Sequence, residues 1–116
     1  MDIVVQKWQT QIRKGYLELC VLTLVSVHEK VYGFEMIELM NQVGLHVKEG
    51  TLYPLLNRLK VDDLLQARWE TENSKHPRKF YSITKKGRLC LEQMESEFGL
   101  MAKRLKKMST QGVNNG

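Results

Sequence analysis

Between Tyr16 and His28 the chain carries Leu17, Leu19, Cys20, Val21, Leu22, Leu24, Val25 and Val27, which point in almost every direction round a helix. A helix that is apolar nearly all round is buried on several sides. A chain of 116 residues has room for one domain and buries a modest share of its surface. The segment therefore predicts packing against both the chain's own domain and a partner. It is no membrane span: the run Leu17–Val27 is too short and contains Glu18, Thr23 and Ser26.

Around this helix the other elements follow from period and punctuation. Val4, Val5, Trp8 and Ile12 share a helical face, predicting a short N-terminal helix or arm that Gly15 interrupts or bends. Glu29–Tyr32 reads as a turn. Gly33 opens a second helix, with Phe34, Ile37, Met40 or Asn41, and Val43 stepping round one side, and Gly44 ends it in the left-handed conformation. A third helix covers Glu49–Val61, with Leu52, Leu55, Leu56 and Leu59 turned inward at i, i+3, i+4 and i+7. Pro54, which lacks an amide hydrogen, puts the start of that helix close to Gly50.

Leu65, Ala67 and Trp69 alternate with Gln66, Arg68 and Glu70, the period of a half-buried strand. Residues 72–78 are polar and contain Pro77, a loop, after which Tyr81 and Ile83 alternate with Phe80 and Ser82 in a returning strand. Thr84 is a natural N-cap for a final helix. Its apolar residues Leu91, Met94, Phe98, Met101, Leu105 and Met108 are spaced as a heptad seam, fewer than three heptads long. The expected fold is mainly α with a small β-hairpin: a winged helix-turn-helix plus a C-terminal dimerisation helix. Residues 1–84 form the arm and DNA-binding domain, 85–108 the dimerisation helix, and 109–116 a disordered tail.

Charge is uneven. Residues 1–74 hold 8 basic and 10 acidic side chains, residues 75–116 hold 10 basic and 3 acidic. A basic block on a near-neutral body suits a polyanion or an anionic surface, or is simply a solvated face. Cys20 and Cys90 stand singly in apolar helical patterns, which fits a reducing, cytoplasmic compartment. No secretory leader pattern opens the chain, and no membrane partner is expected. His28, His46 and His76 are scattered over different elements, without the spacing of a metal or catalytic site. No phosphate-binding glycine loop or nucleophile elbow occurs either. An enzyme is not expected, nor a cofactor or metal.

In a helix-turn-helix the later helix enters the major groove. With its leucines inward, Glu49–Val61 presents Thr51, Tyr53, Pro54, Asn57 and Arg58 to solvent. Arginine can fork onto guanine, asparagine onto adenine, and tyrosine can reach a phosphate. Lys75, His76, Arg78 and Lys79 crowd the hairpin tip, where they can clamp phosphates or enter a minor groove. Lys85, Lys86 and Arg88 sit at a helix N-terminus, which disfavours cations and hints at an external anion.

The blocks KGYLEL with Val21-Leu22, YGFE at 32–35, EGTLYPLLNRL at 49–59 and RKFYSITKKG at 78–87 occur in that order. Over roughly Gly15 to Phe98 they resemble the PadR family of bacterial transcriptional regulators, in its compact subgroup with a short C-terminal helix. The resemblance implies a homodimer whose last helix, with the first, forms the interface, and regulation of a promoter on double-stranded DNA, usually as a repressor. Carried over by position, it implies DNA contacts at Thr51, Tyr53, Pro54, Arg58, Arg78 and Lys79. The sequence departs from the usual pattern at Lys60, where Glu is customary, and at Asp63, where Gly is, so the turn after the reader helix is expected to differ.

The interface residues expected on the last helix are Leu91, Met94, Phe98, Met101 and Leu105. Some family members bind planar aromatic compounds between their subunits, which makes Trp8 and Phe98 candidates for a pocket holding a small aromatic effector. A stripe at heptad spacing is more often seam than pocket. A winged helix that binds protein without specific DNA binding is the alternative function, and the cationic hairpin tip argues against it.

Overall fold

The computed structural model describes residues 1–70 and 77–114, with the side chains of 112–114 left aside. Helix α1 spans Ile3–His28 without a break, its first turn capped by the Asp2 carboxylate, which accepts from the Val4 amide at 2.7 Å. Gly15 therefore neither interrupts nor separates an arm: a mid-helix glycine costs about 1 kcal/mol. Burying Leu17, Val21, Leu22 and Val25 in the half that follows offsets it several-fold. The expected turn at Glu29–Tyr32 is in part a strand, β1 (Val31–Tyr32).

Helix α2 covers Gly33–Gln42, with the Glu35 carboxylate accepting from the Tyr32 amide at 3.0 Å. It buries Met36 and Met40 and leaves Phe34 and Val43 exposed, so its inward face is rotated from the one expected. Gly44, at φ +82°, lets the Leu45 amide reach the Met40 carbonyl at 2.9 Å and ends the helix in a Schellman turn. Helix α3, Glu49–Val61, buries all four predicted leucines, and Pro54 lies in its second turn, one turn further in than the first-turn rule suggests. The Gly50 carbonyl consequently lacks its ladder donor, which is tolerable because Gly50 is exposed.

Strands β2 (Leu65–Glu70) and β3 (Arg78–Ile83) pair antiparallel from Leu65↔Ile83 to Glu70↔Arg78. β1 pairs with the other edge of β3, through Val31↔Tyr81 and Tyr32↔Phe80, so the sheet has three strands in the order β1-β3-β2. Alternation in β2 holds for Leu65 and Ala67 and fails at Trp69, which is 62% exposed because the hairpin has run past the edge of the helical body. Thr84 caps helix α4 (Lys85–Asn114): its hydroxyl oxygen accepts from the Gly87 amide at 2.9 Å and its proton goes to the Asp63 carbonyl at 2.7 Å. α4 takes in residues 109–114 of the segment expected to be disordered; the last two residues lie outside those described.

The core joins α1, α2, α3 and the sheet, and takes Leu91 from α4, with Cys90 and Met94 packed against it. Beyond that point α4 runs out along the first half of α1, which gives the molecule extents of 68 × 33 × 23 Å.

Candidate nucleic-acid interface

Helix α3 divides the predicted reader residues among three directions. Pro54 and Asn57 face outward, opposite the buried leucines. Thr51 and Arg58 lie on the flank towards α1, where Arg58 donates to the Glu18 carboxylate. Tyr53 and Asn57, with Lys60, border a groove of 870 Å³ between α3, the start of α2 and the hairpin. Gly33 makes that groove possible: a Cβ there would stand 2.8 Å from Cε1 of Tyr53.

The hairpin forms the opposite wall with Trp69, Arg78, Lys79 and Tyr81. Its cations rest on rings. The Arg78 guanidinium lies 5.4 Å from the centre of Tyr32, while Lys79 Nζ sits between Trp69 and Tyr81 at 5.7 and 5.8 Å. On the face opposite Lys79, which Arg78, Tyr32 and Phe80 share, Lys30 Nζ lies 5.0 Å from the Phe80 ring. Such contacts hold a cation in position without neutralising it. The Tyr32 hydroxyl donates to the Glu70 carboxylate, and that bond raises its pKa above the ordinary tyrosine value. Lys75 and His76, the remaining hairpin candidates, lie outside the described residues.

Lys60 is a groove residue that the sequence does not single out for DNA, although its departure from the family pattern was the available signal. Of the cations that open α4, Lys86 proves less telling than its position suggests. Lys86 Nζ donates to the Asp62 carbonyl at 3.1 Å, at the C-terminal end of α3, where a cation is favoured. That placement has an internal cause and calls for no external anion.

On α4, Leu91 is 6% exposed and belongs to the chain's own core, so it is not available to a partner. Met94 is half-buried, and the Phe98 ring stacks on Tyr16 of α1 at 6.0 Å and 29°. Met101, Leu105 and Met108 are exposed, as are Trp8 and Ile12 on α1. Ile12, Tyr16, Leu19, Met94, Phe98 and Met101 border an apolar hollow of 320 Å³ that Glu18 also touches. Trp8 lines a different hollow, with Gly44, Leu45 and His46, so within one chain Trp8 and Phe98 do not meet.

Among the described residues no helix is long and apolar enough to cross a membrane, and no cluster of His, Cys, Asp and Glu suits a metal ion. Residues 21–93 match the family model described as the transcriptional regulator PadR-like family. A PadR-like transcription factor from Bacteroides fragilis is 37% identical and superposes with a TM-score of 0.77 over 88% of this chain and 98% of its own. A PadR family regulator from Eggerthella lenta is 30% identical, with a TM-score of 0.82 over 92% and 93%. Bacillus subtilis PadR, solved in complex with operator DNA, is 21% identical with a TM-score of 0.62, over 67% of this chain and 45% of that one, a likeness of fold. The family match covers more than half the sequence and sets catalysis aside, since its members are transcriptional regulators. The chain belongs to the PadR-like family of transcriptional regulators.

Proposed function

We infer that the chain is a sequence-specific DNA-binding repressor that works in the cytoplasm as a homodimer on a roughly palindromic operator. The observation that carries this reading is the outward strip of α3, Pro54 and Asn57, standing beside a groove whose far wall is the cationic hairpin. Asn57 is the base reader, suited to adenine, and Tyr53 and Lys60 lie where a phosphate strand would pass. Arg78 and Lys79 hold the backbone beyond, with Lys75 as a further candidate. The operator complex of Bacillus subtilis PadR lends support from a distant relative.

Residues 1–84 serve as the DNA-binding unit, and the helix from 85 through 108 serves dimerisation. The exposed apolar strips of α1 and α4 support a second copy as their cover, which would set two reader helices about 34 Å apart on successive major grooves. The apolar hollow at Phe98 supports a small aromatic effector bound within the dimer. A gel-shift with DNA from upstream of the protein's own gene tests the central reading. A discrete complex that survives excess unrelated DNA is expected; no complex at low salt overturns it.

A further inference from the structure

A reader helix in the major groove has a phosphate strand on each side of it, yet the hairpin supplies cations on only one flank of α3. On the other flank, Thr51 shares a hollow of 320 Å³ with Thr10, Arg13, Lys14 and Leu17 of α1 and with His46 and Lys48. The four α1 residues are spaced i, i+3, i+4 and i+7, so they stand on one helical face. Lys48 is the N-cap residue of α3, and its side chain makes no cap hydrogen bond. The helix that begins beside it adds the positive end of its dipole.

No carboxylate lines this hollow. Among the described residues the ion pairs are Arg58–Glu18 and Arg104–Glu97, so Arg13, Lys14 and Lys48 are not neutralised by any of them. Arg13 is held in place by donating to the His46 carbonyl, a neutral acceptor that leaves its charge whole. One anchored cation and two exposed lysines, none of them in an ion pair among the described residues, stand around a hydroxyl and form a site for an oxyanion.

We propose that this hollow is a second phosphate clamp, in which Arg13, Lys14 and Lys48, with the Thr51 hydroxyl, seat the backbone of the DNA strand across the groove from the wing. The clamp rests on the DNA-binding reading above and adds to it a binding site in the half of the chain whose net charge is negative. With both flanks gripped, α3 is fixed in depth and register, so that Asn57 meets the same base edge each time.

The test compares the full-length wild type, Lys14→Ala/Lys48→Ala and Arg78→Ala/Lys79→Ala on a mixed-sequence DNA duplex through a salt series, by fluorescence anisotropy. Arg13 is left alone because its bond to His46 is structural, whereas both lysines are exposed. Each phosphate left without its cation reduces the log–log salt slope by about 0.9, so each double variant is expected to lower the slope by about 1.8 per protomer, about 3.6 for the bound dimer, and to bind at least roughly 100-fold more weakly at about 0.1 M salt. Lys14→Arg/Lys48→Arg keeps the charges and is expected to keep the slope. An unchanged slope in Lys14→Ala/Lys48→Ala, with the wing variant weakened, overturns the clamp and leaves the wing assignment standing. A loss of slope in the arginine variant also overturns it. A wild type without salt-dependent duplex binding overturns the clamp and the DNA-binding reading together.

Discussion

The guanidinium of Arg58 on α3 donates to the carboxylate of Glu18 on α1, with 54% and 30% of the two side chains still open to solvent. A pair this exposed contributes at most about 1 kcal/mol to stability. Its effect is on direction: the arginine best suited by type to read guanine is turned away from the outward strip of α3. Glu18 also borders the hollow at Phe98, so the pair links the α1–α4 contact to the reader helix.

Breaking that pair should free a cation for DNA. Glu18→Gln is expected to tighten binding to a mixed-sequence duplex and to steepen the salt slope by about 0.9 per protomer, about 1.8 for the bound dimer, as each protomer neutralises one more phosphate. Arg58→Ala in the same background should return the slope to its starting value. If Arg58→Ala in the otherwise native chain costs the 1–3 kcal/mol that removing a bidentate base pairing does, DNA already pulls Arg58 from Glu18 and the pair is no restraint.

Asp63 stands where the family pattern has glycine, which predicts a different turn after α3. The turn that forms here is of a kind that glycine ordinarily serves. Asp63 adopts φ +63°, its amide bonds to Lys60, and the Leu64 amide reaches the Leu59 carbonyl at 2.9 Å, a complete Schellman turn. Aspartate tolerates the left-handed region better than most residues, at a cost that glycine avoids. Asp63→Gly should therefore raise stability by about 0.5–1 kcal/mol, or a few degrees in Tm. Thermal unfolding by circular dichroism checks it, and a lower Tm would mean the carboxylate has a role that the geometry does not reveal.

Tyr53 reaches into the groove only because Gly33 has no side chain. Gly33→Ala would place a methyl 2.8 Å from the Tyr53 ring, forcing the ring outward and narrowing the space beside Lys79. DNA affinity should fall while the fold survives. Adding Tyr53→Ala to Gly33→Ala should relieve the crowding and recover thermal stability without recovering affinity. A Gly33→Ala chain that binds as tightly as wild type would show that nothing passes along this groove.

What the sequence reveals depends on how far each signal extends. The leucines of α3 and the pairing of β2 with β3 repeat often enough for the period to be read. β1 is two residues long and has no period, so its presence depends on β3 offering a free edge. Phe34 and Trp69 look like inward residues by count, yet Phe34 stands on the outward side of a helix whose buried face is Gly33, Met36 and Met40, and Trp69 lies where β2 has left the body; period fixes neither the rotation of a face nor where the body ends. The cations of the α1 flank are hidden by averaging, since ten acidic residues share their half of the chain. The Arg58–Glu18 pair joins residues forty positions apart and has no local signature.

Met101, Leu105 and Met108 on α4 are 53%, 67% and 66% exposed, and Trp8 and Ile12 on α1 are 57% and 51% exposed. Two such strips set large apolar side chains in water on α1 and α4, the kind of surface that marks an association site when it is contiguous. A second copy would cover both strips, with the α4 seam packing as a short coiled coil. Met101→Glu brings two carboxylates together at the seam and should convert the dimer to a monomer at micromolar concentration, read by light scattering. Because Met101 is already half-exposed within its own chain, the variant's helical signal should stay close to that of wild type, separating loss of assembly from loss of fold. Trp8 fluorescence should shift to the red as its ring returns to water. Operator affinity should fall steeply, because two half-sites joined in one dimer are bound far more tightly than either alone. A wild type that scatters as a well-folded monomer would refute the dimer, and the exposed strips would then need another cover.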